Sequence, residues 1–269
     1  MLYRDQRTVG LLHATLGTVI GAASGQLVSS PLIAGSLSVA GRQLWQCART
    51  VADELEAGDL AQARLLVRAL VGRDTSELDV TDLSRAAVES VAENTVDAII
   101  APMLWTALLG APGAFGYRAV NTMDAMVGHR TDRYSRFGWA SARVDDVANY
   151  VPARWSALCV LAVRPQRRTE IRRAWREDAS LHPSPNAGVI EAAFAGALGL
   201  RLGGPNVYHG VSDERPVLGI GRVAEPRDIG SAIGLSQAVT SLTAGFLVSV
   251  AAVDWARGRN GVNKLRTNE

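Results

Sequence analysis

The sequence predicts an all-α fold: a polytopic integral membrane helical bundle, formed as a single domain over 1–269, with re-entrant or broken helices. Apolar residues make up 48% of the chain and its mean hydropathy is +0.08, between the values of soluble and fully embedded proteins. Several apolar stretches approach the roughly 20 residues that cross a bilayer. No succession of segments alternates polar and apolar residues with the period of two that marks strands. Long apolar helices therefore explain the pattern better than a sheet.

The N-terminal residues 1–48 predict a helical hairpin in the membrane. Two moderately apolar stretches, 9–28 and 31–48, are rich in Gly, Ala and Ser and are separated by a Ser-Ser-Pro31 sequence. Each approaches the length of a membrane span. Small residues on a helix face permit close packing, which suits a membrane bundle and also a soluble one.

Residues 49–210 are predicted to form a core that carries the motifs. An amphipathic helix over 48–70 leads into a turn at 72–75, and residues 79–84 supply caps for an acidic helix. This first section of the core has the composition of a soluble region.

A broken helix pair follows. Residues 98–109 are apolar but too short to span a membrane, and the Gly-Ala-Pro-Gly sequence at 110–113 interrupts them before a second helix over 114–127. Irregular backbone at membrane depth is tolerated where it lines a cavity. We therefore expect a re-entrant or broken pair at the position where a site could be built.

Residues 147–163 form a further apolar segment, for which a complete crossing stays open. Arginines follow it closely, which is typical of the cytoplasmic side of a membrane protein, although a solvated basic helix fits as well. These arginines are Arg164, Arg167, Arg168, Arg172, Arg173 and Arg176.

The last third of the chain predicts loops and one clear span. A short helix over 191–200 lies between two rigid loops at 182–188 and 203–208. A polar loop is expected over 211–232. The segment 233–255 is predicted as the C-terminal transmembrane helix, because its apolar part carries no charge and charged and aromatic residues close it.

Composition excludes several classes of function. The formal net charge of +2 is too small and too evenly spread to predict binding of nucleic acid. Lys264 is the only lysine, so a Walker-type phosphate loop is absent and Schiff-base chemistry is not expected. Cys47 and Cys159 are far apart in apolar helical segments, which predicts buried free thiols rather than a disulfide or zinc site.

One acidic row stands out at the start of an apolar helix. Glu89, Glu93 and Asp97 are spaced at i, i+4 and i+8, and Arg85 continues the row one turn earlier. Like charges stacked in this way repel one another, and a cation, a polyphosphate bound through Mg²⁺ or a neighbouring arginine would relieve the repulsion. An ordinary solvated helix face is the alternative.

A second group of oxygen-bearing side chains flanks the apolar helices. Asn121 with Asp124, and Asp145 with Asn149, are pairs that each present ligands on one helix face. Together with the acidic row they predict a site for Mg²⁺ and phosphate, although capping or pairing within the membrane would also explain single members. Two arginines would neutralise a polyphosphate, namely Arg143 and Arg154.

The two predicted loops could place backbone amides against an anion or a bound cofactor. Each contains an asparagine, Asn186 in the first and Asn206 in the second. Structural turns capped by these asparagines are the alternative.

Six motifs in order resemble those of the cobalamin-biosynthesis CobD/CbiB family, over about 41–253. The motifs are Gly-Arg-Asp-Thr at 72–75, Glu-Ser-Val-Ala-Glu-Asn-Thr-Val-Asp at 89–97, Ala-Val-Asn-Thr-Met-Asp-Ala-Met-Val-Gly at 119–128, Phe-Gly-Trp-Ala-Ser-Ala-Arg-Val-Asp-Asp at 137–146 with Pro-Ala-Arg at 152–154, His-Pro-Ser-Pro-Asn-Ala-Gly at 182–188, and Leu-Gly-Gly-Pro-Asn at 202–206. Several long motifs in order are far more specific than any single one.

The resemblance implies a multi-pass membrane enzyme, an amide-forming ligase of the adenosylcobinamide-phosphate synthase type. Such an enzyme joins adenosylcobyric acid to (R)-1-amino-2-propanol or its O-phosphate, with ATP and Mg²⁺, to give a cobinamide or its phosphate. Because a carboxylate oxygen must become a leaving group before an amide can form, we hypothesise an acyl-phosphate intermediate. Carboxylates would hold Mg²⁺, arginines the phosphates, and the broken-helix cavity the bulky corrin.

This chemistry divides the polar motif residues among three predicted roles. Catalytic roles are predicted for Glu89, Glu93, Asn94, Asp97, Arg143 and Arg154. Cofactor or substrate binding is predicted for Arg73, Asp74, Asn121, Asp124, Asn186 and Asn206. Metal binding is predicted for Glu93, Asp97, Asp124, Asp145 and Asp146.

The resemblance further implies a location in the cell membrane, with the site on the cytoplasmic side and with lipid and other cobalamin-pathway enzymes as partners. His129 stands where the family often has tyrosine. We also expect a longer N-terminus in the family, because members usually carry a further apolar segment there; a misplaced start codon or a truncation would explain the difference.

Two non-catalytic functions compete with the synthase. A membrane sensor or transducer would pair its acids internally and bind no nucleotide. A scaffold that holds corrin intermediates for a neighbouring enzyme would keep corrin binding when Glu93 or Asp97 becomes an amide, whereas an enzyme would lose turnover.

Overall fold

The computed structural model describes residues 7–28, 30–127, 137–208 and 211–266. Within them the helices and strands follow in this order: α1 (Arg7–Gln26), α2 (Pro31–Ser38), α3 (Gly41–Ala57), α4 (Leu60–Val67), α5 (Val80–Thr95), a π-helical turn (Val96–Ile100), α6 (Ala101–Val127), α7 (Trp139–Val163), a 3-10 turn (Pro165–Arg167), α8 (Arg168–Glu177), a second 3-10 turn (Ala179–Leu181), α9 (Ala187–Leu198), β1 (Leu202–Tyr208), β2 (Val211–Leu218) and α10 (Pro226–Arg266).

Three helical stretches are long and apolar enough to cross a membrane, which confirms the predicted helical membrane fold. They are Arg7–Gln26, Val80–Val127 and Pro226–Arg257. The second consists of α5, the π-helical turn and α6. The fold is thus helical apart from one antiparallel two-stranded hairpin, in which β1 pairs with β2.

The small residues of α1 allow it to lie directly against α6. A Cβ atom added at Gly21 would stand 2.6 Å from the Cβ of Ala119, and one added at Gly25 would stand 2.5 Å from the carbonyl oxygen of Ala111. Larger side chains at these glycines would therefore force the helices apart. Close helix packing through small residues is typical of membrane bundles.

The prediction of one helix over 31–48 is wrong. Val39 has an extended backbone (φ −94°, ψ 120°), so α2 ends at Ser38. The amide of Ala40 donates a hydrogen bond of 2.9 Å to the carbonyl of Ala98, a partner outside the hairpin. This contact stabilises a break that the local sequence does not indicate.

The predicted amphipathic helix over 48–70 is also divided. Gly58 adopts a left-handed conformation (φ 82°) that ends α3, and the Asp59 carboxylate accepts from the amide of Gln62 and begins α4. Glycine after a helix and aspartate before the next one are the usual end and start signals.

Two other predicted features are present. Asp79 caps α5 by accepting from the amide of Asp82 at 2.8 Å. Gly110 breaks the helical conformation within α6 (φ 66°, ψ −148°), with Pro112 just beyond it. A backbone with these angles is nearly restricted to glycine.

The second predicted loop and the polar loop over 211–232 are replaced by β1, β2 and the start of α10. Gly203 and Gly204 have φ of 78° and 94°, which bends the entry to β1. Side chains of α5 bind this bend: Arg85 donates to the carbonyls of Gly203 and Pro205, and Glu89 accepts from the Gly203 amide. The hairpin therefore depends on partners more than 100 residues away in sequence.

The main core lies where α5, α9 and the first half of α10 meet. Leu83, Ile99, Phe194 and Ile233 are almost completely buried there. Large apolar side chains of α1 and the second half of α10 are exposed instead, among them Leu12 at 66% and Val248 at 69%. The chain thus combines a packed core with helices whose exposed apolar faces suit contact with lipid.

Candidate functional site

The candidate site is a polar junction where the π-helical turn, α6 and α7 meet. Asp97 lies on the π-helical turn, in which the amide of Ala101 bonds to the carbonyl of Val96. Such turns inside helices are frequent at functional sites. The amide nitrogen of Asn121, on α6, stands 3.3 Å from Oδ2 of Asp97. Two side chains predicted separately from the sequence are thereby brought together.

Helix α7 closes the junction from the other side. The Tyr117 hydroxyl lies 2.9 Å from Oδ1 of Asn149 and 3.2 Å from the carbonyl oxygen of Asp97. The amide of Asn149 donates to Oδ2 of Asp145 at 3.0 Å. Tyr117 was not predicted as a site residue, whereas Asn149 was predicted from its spacing to Asp145. They fix the orientation of the acids through a buried hydrogen-bond network.

All five predicted metal-binding carboxylates lie within electrostatic range of one another at or beside this junction. Asp97 interacts electrostatically with Asp145, Glu93 and Asp124, and Asp124 in turn interacts with Asp146. Within the described residues, however, no three acid, imidazole or thiol side chains form a ready ligand set for a metal ion. The five carboxylates, which we call the acid cluster, share one site without a preformed metal centre.

Asp145 is the member of the acid cluster whose carboxylate lacks a hydrogen-bond partner at one oxygen. Its Oδ1 atom is buried and has no hydrogen-bond partner. Burial, followed by the charge of Asp124, raises the pKa of Asp145 to about 7, against the opposing hydrogen bonds of Asn149 and Asn121. A buried carboxylate oxygen with no partner is unfavourable unless a cation or a proton satisfies it.

A second polar cluster is centred on Glu89, one to two helical turns N-terminal to the acid cluster. It contains arginines as well as acids. Oε2 of Glu89 accepts from Arg73 at 2.5 Å, and Oε1 accepts from the amide of Gly203 at 2.7 Å. Arg85 lies 3.9 Å from the same carboxylate. Glu89 therefore joins the 72–75 turn to the hairpin, and its two oxygens already have partners.

Glu191 is a candidate site residue that sequence reasoning missed. It is 3% exposed and stands on α9, where its neighbours along the helix are apolar. Burial, followed by the charges of Glu89 and Glu93, raises the pKa of Glu191 well above its usual value. A lone acid within an apolar helix is the signal that could have identified it, because glutamate is seldom fully buried without a partner.

His182 and Arg215 lie beside Glu191. Nε2 of His182 is 3.9 Å from Oε1 of Glu191 and 3.3 Å from a guanidinium nitrogen of Arg215. Glu93 interacts with Glu191 as well as with Asp97. Glu93 therefore connects the two polar clusters into one continuous strip.

The predicted arginines differ in their environment. Arg154 donates to Oδ1 of Asn186 at 2.6 Å and lies 3.7 Å from the ring of Tyr150. Asn186 in turn donates to the carbonyl of Asp146 at 2.8 Å, so this pair anchors the 182–186 loop to α7. Arg143 is 63% exposed and only 3.9 Å from Asp146. Arg143 is thus better placed than Arg154 to meet a mobile anion.

Other predicted residues lie away from the acid cluster. Asn94 bonds to the carbonyl of Ser90 on its own helix. Asp74 is exposed and accepts from Ser76, whose backbone and side-chain hydrogen bonds lower the pKa of Asp74. Asp74 and Arg73 line a separate cavity of about 460 Å³. The side chain of Asn206 lies outside the described part of the chain, as does His129.

Comparison with known proteins identifies close relatives. A family profile described as "CobD/Cbib protein" matches residues 6–236. A "Cobalamin biosynthesis protein CobD" of Mycobacterium tuberculosis is 48% identical over 250 residues, which cover 88% of this chain and 80% of the relative. Proteins of the same name from Rhodobacter capsulatus (45% over 231 residues, covering 84% and 72%) and Klebsiella pneumoniae (47% over 218 residues, covering 79% and 68%) are also similar. No solved structure matches the chain.

We predict that Glu89→Gln destabilises the protein by about 3 kcal/mol, because it leaves the buried Arg73 guanidinium without its charged partner. The matched control is Glu177→Gln, which removes an exposed pair with Arg173 and should cost less than about 1 kcal/mol. Chemical unfolding of both variants in the same detergent measures the difference. Equal losses would contradict a structural role for Glu89.

We predict that Asp145→Asn is more stable than the wild type at pH 8 and equally stable at pH 4, in EDTA. The pKa of Asp145 is about 7 in the folded protein, so the folded state binds the proton more tightly than the unfolded chain does. Wild-type stability should therefore fall as the pH rises from about 4 to about 7, by up to about 4 kcal/mol.

Unfolding midpoints at a series of pH values test this prediction, with Asp53→Asn on the exposed face of α3 as the control. A stability difference between Asp145→Asn and the wild type that does not change with pH would refute it.

Proposed function

We propose that this chain, which belongs to the CobD/CbiB family, forms the amide bond between adenosylcobyric acid and (R)-1-amino-2-propanol or its O-phosphate. Membership of the family gives the chain a role in cobalamin biosynthesis. The specific ligation, its ATP and its Mg²⁺ are what resemblance to the family implies, and the chemistry of the site supports them. The acid cluster is the observation that carries the inference.

The donor groups of the acid cluster fit a divalent cation of the Mg²⁺ type. Carboxylate oxygens are the ligands that Mg²⁺ prefers, and Oδ1 of Asp145 is buried with no hydrogen-bond partner. A cation would offset the mutual repulsion of Asp97, Asp124 and Asp145. We therefore assign these three carboxylates as the residues that would hold it.

When bound, ATP and Mg²⁺ would supply the activation that turns a carboxylate oxygen into a leaving group. The chain's own residues would provide positioning. Asn121 and Asn149 hold the carboxylates of Asp97 and Asp145 in place through hydrogen bonds of 3.3 and 3.0 Å. Because these side chains are already ordered, little reorganisation would be needed at the moment of reaction.

Anions would be met by the exposed guanidinium of Arg143, at the edge of the acid cluster. Arg154 would act indirectly, because it holds the loop that carries Asn186. The break at Gly110 divides α6 into two halves, and the region of this broken helix is where we expect the corrin to lie. We propose a cell-membrane location with the site on the cytoplasmic side, and other enzymes of the pathway as partners.

The test is product formation by the purified, folded protein. Adenosylcobyric acid, ATP and Mg²⁺ are supplied with aminopropanol or with its O-phosphate, and corrin products are resolved by mass spectrometry. We expect product with at least one amine. We also expect Asp97→Asn and Asp124→Asn to lose at least about 100-fold in rate, as removal of charge-stabilising groups commonly does.

Asp53→Asn serves as the matched control, because Asp53 is an exposed aspartate on α3 outside both polar clusters. Its rate should equal that of the wild type. Failure to form product with either amine, from protein whose unfolding is cooperative, would reject the synthase in favour of a scaffold or transducer. Retained turnover in Asp97→Asn and Asp124→Asn would reject the assigned site.

A further inference from the structure

Helix α8 presents a row of arginines to the outside of the protein. Arg168, Arg172 and Arg176 are spaced at i, i+4 and i+8, which places them on one helix face, and Arg164 precedes them at the end of α7. All four side chains are exposed. The proposed ligation uses none of them. We call these four residues the arginine row.

The arginine row has no acidic partner among the described residues. By contrast, Arg167, just before α8, pairs with Glu170 at 3.2 Å, and Arg173 of α8 pairs with Glu177 at 3.0 Å. Arg168 donates only to the backbone carbonyl of Leu161. One face of α8 is therefore neutralised within the chain, while the other keeps its positive charge for an external partner.

The backbone that carries the row is firmly held. Ile171 and Ala174 are buried at 0% and 1% exposure. A Cβ atom added at Gly196 of α9 would stand 2.7 Å from the Cα of Ile171, so the two helices are in close contact. The arginines consequently have a fixed spacing, which lowers the entropy cost of binding several anionic groups together.

The row follows an exposed apolar face of α7, whose contact with lipid hydrocarbon would bring the row to the level of the headgroups. The outer face of α7 exposes Val147 at 76%, Val151 at 67% and Leu158 at 53%. Arg164 follows Leu158 by six residues, or about 9 Å along a helix axis. The headgroup layer beyond each side of the hydrocarbon core is about 5–8 Å thick. With this apolar face in hydrocarbon, the arginines would begin at about the depth of the phosphate groups.

Helix α7 reaches this level beside a helix of membrane length. Its Trp155 ring lies 4.6 Å from the ring of Phe246 on α10, and the Trp155 indole donates to Thr243 at 2.9 Å. Phe246 is 45% exposed and belongs to the stretch Pro226–Arg257. The outer faces of α7 and α10 thus meet at Trp155 and Phe246, and α7 continues from there to the arginine row.

We propose that the arginine row is a docking surface for the phosphate groups of anionic phospholipids. Guanidinium groups bind phosphate oxygens through two parallel hydrogen bonds, and arginine is well suited to this geometry. Zwitterionic lipids carry a compensating positive charge and should bind less tightly. The surface selects lipid by charge and anchors the side of the protein that carries α8 and α9.

Native mass spectrometry of the full chain in detergent tests the proposal. Phosphatidylglycerol and phosphatidylcholine are titrated separately, and the number of retained lipids is compared. The test variant is the triple substitution Arg168→Gln, Arg172→Gln and Arg176→Gln. Since each basic residue near an anionic surface contributes about fivefold in affinity, the triple variant should bind phosphatidylglycerol on the order of 100-fold more weakly.

The matched control removes three arginines that already have acidic partners, with the substitutions Arg167→Gln, Arg173→Gln and Arg227→Gln. It changes the net charge equally and should keep the wild-type preference for phosphatidylglycerol. Equal losses in the two triple variants, or equal binding of the two lipids by the wild type, would overturn the proposal.

Two further measurements test the lipid assignment, a competition with pyrophosphate and a triple lysine variant. Inorganic pyrophosphate at millimolar concentration should not displace phosphatidylglycerol; displacement would identify a site for soluble phosphate and overturn the lipid assignment. A triple lysine variant at 168, 172 and 176 keeps the charge and should retain most of the preference. It replaces the glutamine variant if that protein fails to fold, and its loss of the preference would overturn the selection of lipid by charge.

Discussion

Repulsion among the carboxylates of the acid cluster is the constraint on which the rest of this site depends. Asp97, Asp124 and Asp145 come from three different segments and face one another where water is scarce. Without compensation, such an arrangement would push the segments apart. Asn121 and Asn149 compensate in part, because they donate hydrogen bonds to the acids without adding charge, and the Tyr117 hydroxyl holds Asn149 in place. Oδ1 of Asp145 still has no hydrogen-bond partner, and a bound cation would compensate its charge.

In the neighbouring polar cluster, residues of the chain itself compensate the charge of the buried carboxylate. Glu89 has its charge balanced by Arg73, and its second oxygen binds the Gly203 amide. This carboxylate therefore holds the hairpin against α5. The glutamates and aspartates of one motif are thus divided between two tasks. Glu89, paired with Arg73, stabilises the fold, and Asp97 belongs to the site that we assign to the ligation.

The sequence predicted the features that are encoded locally. Gly110 and Pro112 mark the break in α6, Asp79 marks the start of α5, and the carboxylates of the acid cluster follow from their helical spacing. It did not predict the β-hairpin, whose first strand depends on Arg85 and Glu89 from far along the chain. The break before α3 depends similarly on the carbonyl of Ala98. Glu191 was missed because its polar partners come from other segments.

Binding of Mn²⁺, followed by electron paramagnetic resonance on the purified full chain, tests most directly whether the acid cluster is a cation site. We predict one ordered Mn²⁺ per chain that Mg²⁺ displaces, with loss of this site in both Asp97→Asn and Asp145→Asn and no change in Asp53→Asn. A wild-type protein that orders no Mn²⁺, or variants that bind it as tightly as the wild type does, would contradict the account.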